Sequence, residues 1–388
     1  MKASATLNRH HRPALGAGAL ALTIIVSALL VGGSDAYGQT QTQGFAIFVD
    51  QKGSNTNGGK CTAGSWLKRD LNTVYASDSP AVQLDPTNSN ITLDPGTYRV
   101  RVSAPATRVG THQIRLSLIA GSASPVNTYG SSEFSKAEDP KGDTTRSFID
   151  GVVQVSSRSQ LAVQHQCQKT SDSGFGIGNA FGNPNVFTQV FIEDFGKQTF
   201  ANEFAIIVDQ KGVSKDGGQC TAGSWNVRTL NTFLAKYSDS ISLANSQVTL
   251  MPGTYRIRAS APAHRVGVHQ IRLAKIVGSD YIALTYGSSE FSKAEDQKGD
   301  TTRSFLDAVV EIRDVPTKFV IQHQCQNSKD NGFGLGNSFG GSNLFSQLYI
   351  ERLSESATPS GSSTSAEARV RPPRLFPRIS DRFRRRVR

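Results

Sequence analysis

Cysteine is the residue of this chain best suited to covalent or metal-binding chemistry. The four cysteines fall into two pairs, Cys61 with Cys167 and Cys220 with Cys325, separated by 106 and 105 residues. Of the three connectivities that four cysteines allow, the matching separations favour one disulfide within each pair. Buried free thiols stay open as an alternative. Zinc is disfavoured, because no Cys-x2-Cys spacing occurs.

Histidines are the second candidates for chemistry. His165 and His323 alternate onto the apolar face of a predicted strand, which favours buried, hydrogen-bonded imidazoles over metal ligands or bases. His112 and His269 begin the two copies of HQIRL, in register with the polar face of the strand. They would contribute to a site only if the other strand brought its histidine near.

An acidic segment, EFSKAEDPKGDTTRSF, contains Glu133, Glu138, Asp139 and Asp143. Clustered carboxylates are typical of calcium sites. Lysines and an arginine are interleaved with them, which favours a salt-bridged, solvated loop. Calcium is kept as the alternative, and no other cofactor is predicted.

Two glycine-rich segments, GFGIGNAFG at 174–182 and GFGLGNSFG at 332–340, resemble nucleotide-binding loops superficially. No helical pattern follows either of them, so both are predicted to be plain loops. The chain also lacks a Gly-x-Ser-x-Gly elbow and a His-Glu-x-x-His pattern. We therefore expect a protein that is not an enzyme.

The chain contains a long internal repeat. FAIFVDQKG at residue 45 returns as FAIIVDQKG at 204, and CTAGSW at 61 returns at 220. The period is much longer than the roughly 20 to 50 residues of solenoid repeats, which indicates a duplicated domain. We expect a first module over 44–195 (repeat 1) and a second over 204–353 (repeat 2), joined by a link so short that the two bodies touch.

Both copies show strand periodicity. In GTYRIRASA, Tyr255, Ile257 and Ala259 alternate with Arg256 and Arg258, the pattern of a strand with one buried face. Pro-Gly turns precede this strand in each copy. Many short strands without a helical period predict an all-β protein of two tandem jelly-roll β-sandwich domains.

The N-terminal 38 residues have a basic start, an apolar run and a small-residue segment, which together predict a signal peptide. Cleavage is expected after Ala36 or Gly38, and an uncleaved membrane anchor is the alternative. The chain is therefore predicted to be secreted or held in the cell envelope, where disulfides form.

Residues 354–388 form a Ser/Pro-rich linker and an arginine-rich tail. Much of the net charge of +11 lies at the chain ends. The body of the chain therefore has too little excess positive charge to indicate specific nucleic-acid binding. Apolar residues at helical spacing in the tail predict a short amphipathic helix that docks on an anionic surface, with disorder as the alternative. The candidate docking residues are Arg378, Arg382, Phe383, Arg384, Arg385 and Arg386.

The motifs DQKG, CTAGSW, LNT, GTYRIRASAPAHRVGVHQIRL, GSSEFS, TRSF and QHQCQ resemble the complement- and tumour-necrosis-factor-like jelly-roll domains of phage and large-virus fibre tips. The resemblance covers nearly all of each repeat. It implies a compact jelly roll that assembles as a trimer and acts in binding without catalytic residues. It also implies a framework of polar residues bonding across strands, namely Asp50, Arg69, His112, Gln113, Arg115, Arg146, Gln164 and His165.

Taken together, these features predict an exported, oligomeric binding or adhesion protein that recognises a surface glycan or protein through loops. A structural envelope or fibre-tip component is the alternative. A carbohydrate-active enzyme ranks third, because no pair of catalytic carboxylates is evident.

Overall fold

A computed structural model describes residues 44–137, 143–196, 203–294, 299–337 and 341–354. Its regular elements are all β-strands, which confirms the predicted all-β class. The strands of repeat 1 are β1 Gly44–Lys52, β2 Leu67–Lys68, β3 Thr73–Ser77, β4 Val82–Asp85, β5 Asn90–Leu93, β6 Gly96–Thr107, β7 Gly110–Ser124, β8 Asn127–Tyr129, β9 Glu133–Ser135, β10 Thr144–Cys167 and β11 Asn185–Asp194.

Repeat 2 contains the equivalent strands. They are β12 Phe204–Lys211, β13 Asn226–Val227, β14 Thr232–Tyr237, β15 Ile241–Ala244, β16 Gln247–Leu250, β17 Gly253–His264, β18 Gly267–Val277, β19 Asp280–Ser292, β20 Thr301–Ile312, β21 Thr317–Cys325 and β22 Asn343–Ser354. Their order is the same as in repeat 1, except that β19 corresponds to β8 and β9 together and that β20 and β21 together correspond to β10.

Repeat 2 is a two-sheet jelly roll. One sheet has the order β14-β12-β22-β17-β20, and the other has the order β15-β16-β21-β18-β19. All the paired strands are antiparallel. The chain crosses repeatedly between these two sheets and stays within one sheet only at the hairpins β15–β16 and β18–β19, which is a jelly-roll arrangement.

Repeat 1 has the same strand order, but one long strand joins its two sheets. β10 runs for 24 residues and pairs first with β6 of one sheet and then with β7 of the other. In repeat 2 the equivalent strands β20 and β21 are separated by a segment that contains Pro316. Proline has no N–H for the ladder, so it interrupts a strand that repeat 1 continues through register shifts.

The predicted alternation holds in β17, where Tyr255, Ile257 and Ala259 are buried and the intervening arginines are half-buried. It fails at one position of β6: Arg99 is buried. Its guanidinium lies 3.5 Å from the ring centroid of Tyr349 in repeat 2 and pairs with Asp150 at 2.7 Å.

The two repeats contact each other, as the short link predicts. The rings of Phe148 and Phe305 lie 5.8 Å apart, and the Ser132 N–H donates to the Leu344 carbonyl at 3.0 Å. Both repeats belong to one compact unit. The assignment of each repeat as a separate domain therefore stays a prediction.

Candidate functional site

Disulfides close one end of each repeat. Cys61 is bonded to Cys167 and Cys220 to Cys325, with Cα atoms 6.4 Å apart in both pairs. The predicted pairing within each repeat is confirmed, and the alternative of free thiols is wrong. Each disulfide lies in a small buried cluster with a phenylalanine, Phe175 in repeat 1. The loops on this end are thereby tied to the strand that carries QHQC.

The glycine-rich segment of repeat 1 packs tightly over this disulfide. A Cβ atom on Gly174 would come within 2.6 Å of the Cys61 Cβ, and one on Gly178 within 2.3 Å of the Thr56 carbonyl oxygen. Gly176 has a φ of +127°, which side chains rarely adopt. Close packing and backbone conformation therefore explain these glycines without a bound phosphate.

A buried arginine holds the same loop from inside. Arg69 donates to Thr188 Oγ1 at 2.8 Å, to the Phe175 carbonyl at 3.0 Å and to the Pro105 carbonyl at 3.3 Å. Its guanidinium also lies 4.1 Å from the centroid of the Phe175 ring. Burial lowers the pKa of Arg69 to about 9. In repeat 2, Arg228 makes the equivalent contacts.

The histidines that the sequence left apart come together. His112 Nδ1 and His165 Nε2 lie 2.9 Å apart, and His112 Nε2 lies 2.8 Å from Thr145 Oγ1. The ring of His165 stacks on Phe175. Pairing of β7 with β10 places residues 112 and 165 on neighbouring strands. His269 and His323 form the same pair in repeat 2, at 3.0 Å.

Burial keeps these imidazoles neutral. It lowers the pKa of His112 and of His269 to about 3, with a smaller contribution from the nearby buried arginine in each case. The pKa of His165 is also lowered, chiefly by burial. His165 Nδ1 has no hydrogen-bond partner among the described residues. His165 and His323 are therefore buried as predicted, and His112 and His269 are buried although they were predicted on the polar face; one nitrogen of each pair is unsatisfied within the described part of the chain.

Arg115, Gln164 and Arg146 of the predicted framework bond across strands. Arg115 donates to Gln164 Oε1 at 2.7 Å, and Arg146 donates to Ser103 Oγ at 2.7 Å. Gln113 donates to the Gly130 carbonyl at 2.8 Å. Asp50 is fully buried, and burial raises its pKa while Lys52 and Arg69 oppose that shift.

Glu133 of the acidic segment is salt-bridged, as predicted, but it is buried and not solvated. Glu133 is buried and accepts a hydrogen bond from Arg303 Nη1 at 2.7 Å, although Arg303 belongs to repeat 2. Glu138 and Asp139 lie outside the described residues. Within the described part of the chain, no group of three or more acidic, histidine or cysteine side chains is arranged to hold a metal. Calcium binding stays a prediction.

An aromatic and cationic surface cluster was missed by sequence reasoning. In repeat 2 the Arg272 guanidinium lies 4.1 Å from the Trp225 ring centroid, and Tyr286 lies 5.8 Å from the same tryptophan. Gln322 fixes the arginine by accepting its Nε–H at 2.8 Å. We call Trp225, Arg272 and Tyr286 the Trp–Arg–Tyr cluster.

Repeat 1 carries the same cluster in Trp66, Arg115 and Tyr129, with distances of 4.3 Å and 6.0 Å from the tryptophan ring centroid to the guanidinium and to the tyrosine ring. Both tryptophans of the chain stand at the same position of CTAGSW. That coincidence was the available signal. Trp, Tyr and Arg are the residues most enriched at binding hot spots.

The two predicted features at the chain ends lie in residues that the structure does not describe. They are the predicted signal peptide and the tail with all six candidate docking residues. In the described ranges, no helix is long and apolar enough to cross a membrane. The disulfides are typical of proteins that fold in an oxidising, extracellular environment.

No protein-family model matches this chain. No curated protein matches it either. Among solved structures, murine APRIL is similar at 8% identity over 39% of this chain and 99% of APRIL, with a TM-score of 0.26. The infectious bursal disease virus Gx strain structure is similar at 10% identity over 79% of this chain and 71% of its own, with a TM-score of 0.23.

A tail fibre protein from an E. coli phage is similar at 11% identity over 82% of this chain and 42% of its own, with a TM-score of 0.16. The TM-scores of all three similarities are low. The jelly-roll assignment therefore rests on the strand order of the two sheets.

Proposed function

We propose that this chain is an exported, non-enzymatic binding or adhesion protein that recognises a surface glycan or protein. The observation that carries the proposal is the Trp–Arg–Tyr cluster, which occurs once in each repeat on a disulfide-tied scaffold. The arginine is held over the tryptophan face by a glutamine, so little side-chain freedom is lost when a ligand binds. Two equivalent clusters on one chain also give bivalent attachment.

A binding screen tests the proposal directly. Purified chain is applied to arrays of surface glycans and to cell-surface protein extracts, and the binding partner is then titrated against Trp225→Ala. Loss of a hot-spot tryptophan costs at least about 2 kcal/mol, so affinity should fall about 30-fold or more. Tyr281→Ala, which removes an exposed aromatic of the same repeat outside the cluster, is the control. Equal effects of the two substitutions would reject the cluster as the site.

The absence of catalysis is part of the proposal. Turnover assays on oligosaccharides test the third-ranked hypothesis, that the protein is a carbohydrate-active enzyme. Hydrolysis that survives repurification and obeys saturation kinetics would overturn the non-enzymatic assignment.

Assembly is also part of the proposal. We expect a homo-oligomer, with the trimer implied by the resemblance as the expected size. A structural role in an envelope or fibre tip is the second candidate function, favoured by apolar surface that the chain leaves uncovered, including Tyr75 and Val309.

The tail is proposed to dock the protein on an anionic envelope. Deletion of residues 366–388 should abolish binding to anionic lipid vesicles, because that segment carries the candidate arginines and Phe383. Neutral vesicles provide the control. Binding that is unchanged by the deletion would end this part of the proposal.

A further inference from the structure

Equivalent residues of the two repeats differ sharply in exposure along one edge. Val152 of repeat 1 is 7% exposed and packs with Phe204, Ile206 and Tyr349 of repeat 2. Its equivalent Val309 is 61% exposed. The edge formed by β9 and β10 is therefore covered in repeat 1, whereas the same edge of repeat 2 is open. We call the open edge, comprising Glu290, Phe291 and Val309, the free edge.

The sheet faces show the opposite asymmetry. Leu344, on the sheet face of repeat 2, is 2% exposed because repeat 1 covers it, while its equivalent Val186 in repeat 1 is 40% exposed. Tyr75 is 70% exposed on the same sheet of repeat 1. We call this open surface the free face; its residues are Ile47, Tyr75, Val186 and Phe191.

The contact between the repeats is not reciprocal. Glu133 pairs with Arg303, but the equivalent Glu290 and Arg146 do not pair with each other in the described ranges. Such a heterologous contact, edge on face, leaves one unused edge and one unused face that are complementary to each other. Because the two repeats are duplicates, the unused surfaces carry residues equivalent to those that already bind in the used ones, including Glu290 for Glu133 and Arg146 for Arg303.

We propose that the free edge of one copy of this chain docks on the free face of another copy. The inference rests on the homo-oligomer of the proposed function and names its surfaces. Glu290 of one copy pairs with Arg146 of the next, as Glu133 pairs with Arg303. Val309 packs on Ile47 and Phe191, the equivalents of Ile206 and Tyr349.

Charge and space both suit this occupant. Arg146 donates to Ser103 and to the Phe187 carbonyl, and no carboxylate pairs with it among the described residues. A cavity of about 1040 Å³ lies between the repeats, and exposed Tyr75, Val186 and Phe305 contribute to its lining. An incoming copy covers that apolar lining.

The first test measures molar mass by light scattering across a concentration series. Val309→Asp places a charge in the docked edge and should weaken association at least tenfold. Val315→Asp is the matched control, because Val315 is 66% exposed in the turn between β20 and β21, outside both surfaces. Equal association of the two variants would overturn the inference while leaving a homo-oligomer intact. A monomeric wild-type chain would remove both.

The second test exchanges charges. Glu290→Arg and Arg146→Glu should each weaken self-association, since each sets like charges against each other across the contact. The double variant, with Glu290→Arg and Arg146→Glu in one chain, should recover the wild-type mass, because every contact between copies is again of opposite charge for any number of copies. A double variant that melts like the wild type yet fails to recover would overturn the proposed pairing. Val309→Asp decides the matter if Arg146→Glu does not fold.

Discussion

At the scale of single residues, the buried histidine pairs couple stability to pH. The pKa of His112 is lowered to about 3 in the folded state, whereas an unfolded histidine titrates near about 6.5. Between these values the unfolded chain binds more protons than the folded chain, so stability falls as pH falls. Each such histidine should cost about 2 kcal/mol between pH 7.5 and pH 5.

His112→Gln should therefore reduce the pH dependence of the unfolding free energy by about 2 kcal/mol over that range. The measurement is urea unfolding at pH 7.5 and pH 5. Thr145→Val removes the hydrogen bond to His112 without removing a titrating group, so it should lower stability at both pH values and keep the slope. A slope that flattens equally in both variants would contradict this explanation.

Buried arginine is the second residue-scale determinant of stability, beside the disulfide of each repeat. Arg69→Met removes three hydrogen bonds and leaves the carbonyls of Phe175 and Pro105 without their donor. We expect a loss of about 3 to 5 kcal/mol in the free energy of unfolding. Arg158→Met, at a side chain that is 61% exposed, should change it by less than about 1 kcal/mol. Chemical denaturation of both variants distinguishes the two cases.

At the scale of elements, the disulfides set how firmly the loops are held. Replacing Cys61 and Cys167 by serine opens a loop of 106 residues. The chain-entropy account gives a loss of at most about 4 to 5 kcal/mol, and the equivalent change at Cys220 and Cys325 should cost a similar amount. Urea midpoints of the two double variants provide the comparison. Wild-type stability in either would show that the loop ends are held by other contacts.

The strands themselves were predictable because each buries one face. In β17 the alternation of Ile257 with Arg258 follows directly from that geometry. Spacing alone also paired the cysteines, since duplication repeats the separation. The His112–His165 contact could not be predicted from the sequence. It depends on the register between β7 and β10, which the alternation of apolar residues does not determine.

At the scale of the whole molecule, residues with identical neighbours in sequence have different environments. Arg99 lies in the same motif as Arg256, yet Arg99 is buried under Tyr349 of repeat 2 whereas Arg256 is partly exposed. A sequence pattern predicts which face of a strand is buried within its own repeat, but it cannot show which repeat covers the other. The packing of the repeats therefore assigns different roles to residues that the duplication made equal.

The equivalent residues Glu133 and Glu290 allow this asymmetry to be tested by making the same substitution at both positions. Glu133→Gln weakens a buried ion pair between repeats, in which Arg303 and the carboxylate are 3% and 1% exposed, so the free energy of unfolding should fall by about 3 kcal/mol. Glu290→Gln, measured at concentrations where the chain does not associate, should change it by less than about 0.5 kcal/mol. Calorimetry of the two variants checks both values. The sequences around the two glutamates are nearly the same, so a difference in stability between the two variants reports the contact between the repeats and not the local structure. Equal losses of stability would mean that the repeats do not pack in this way in solution.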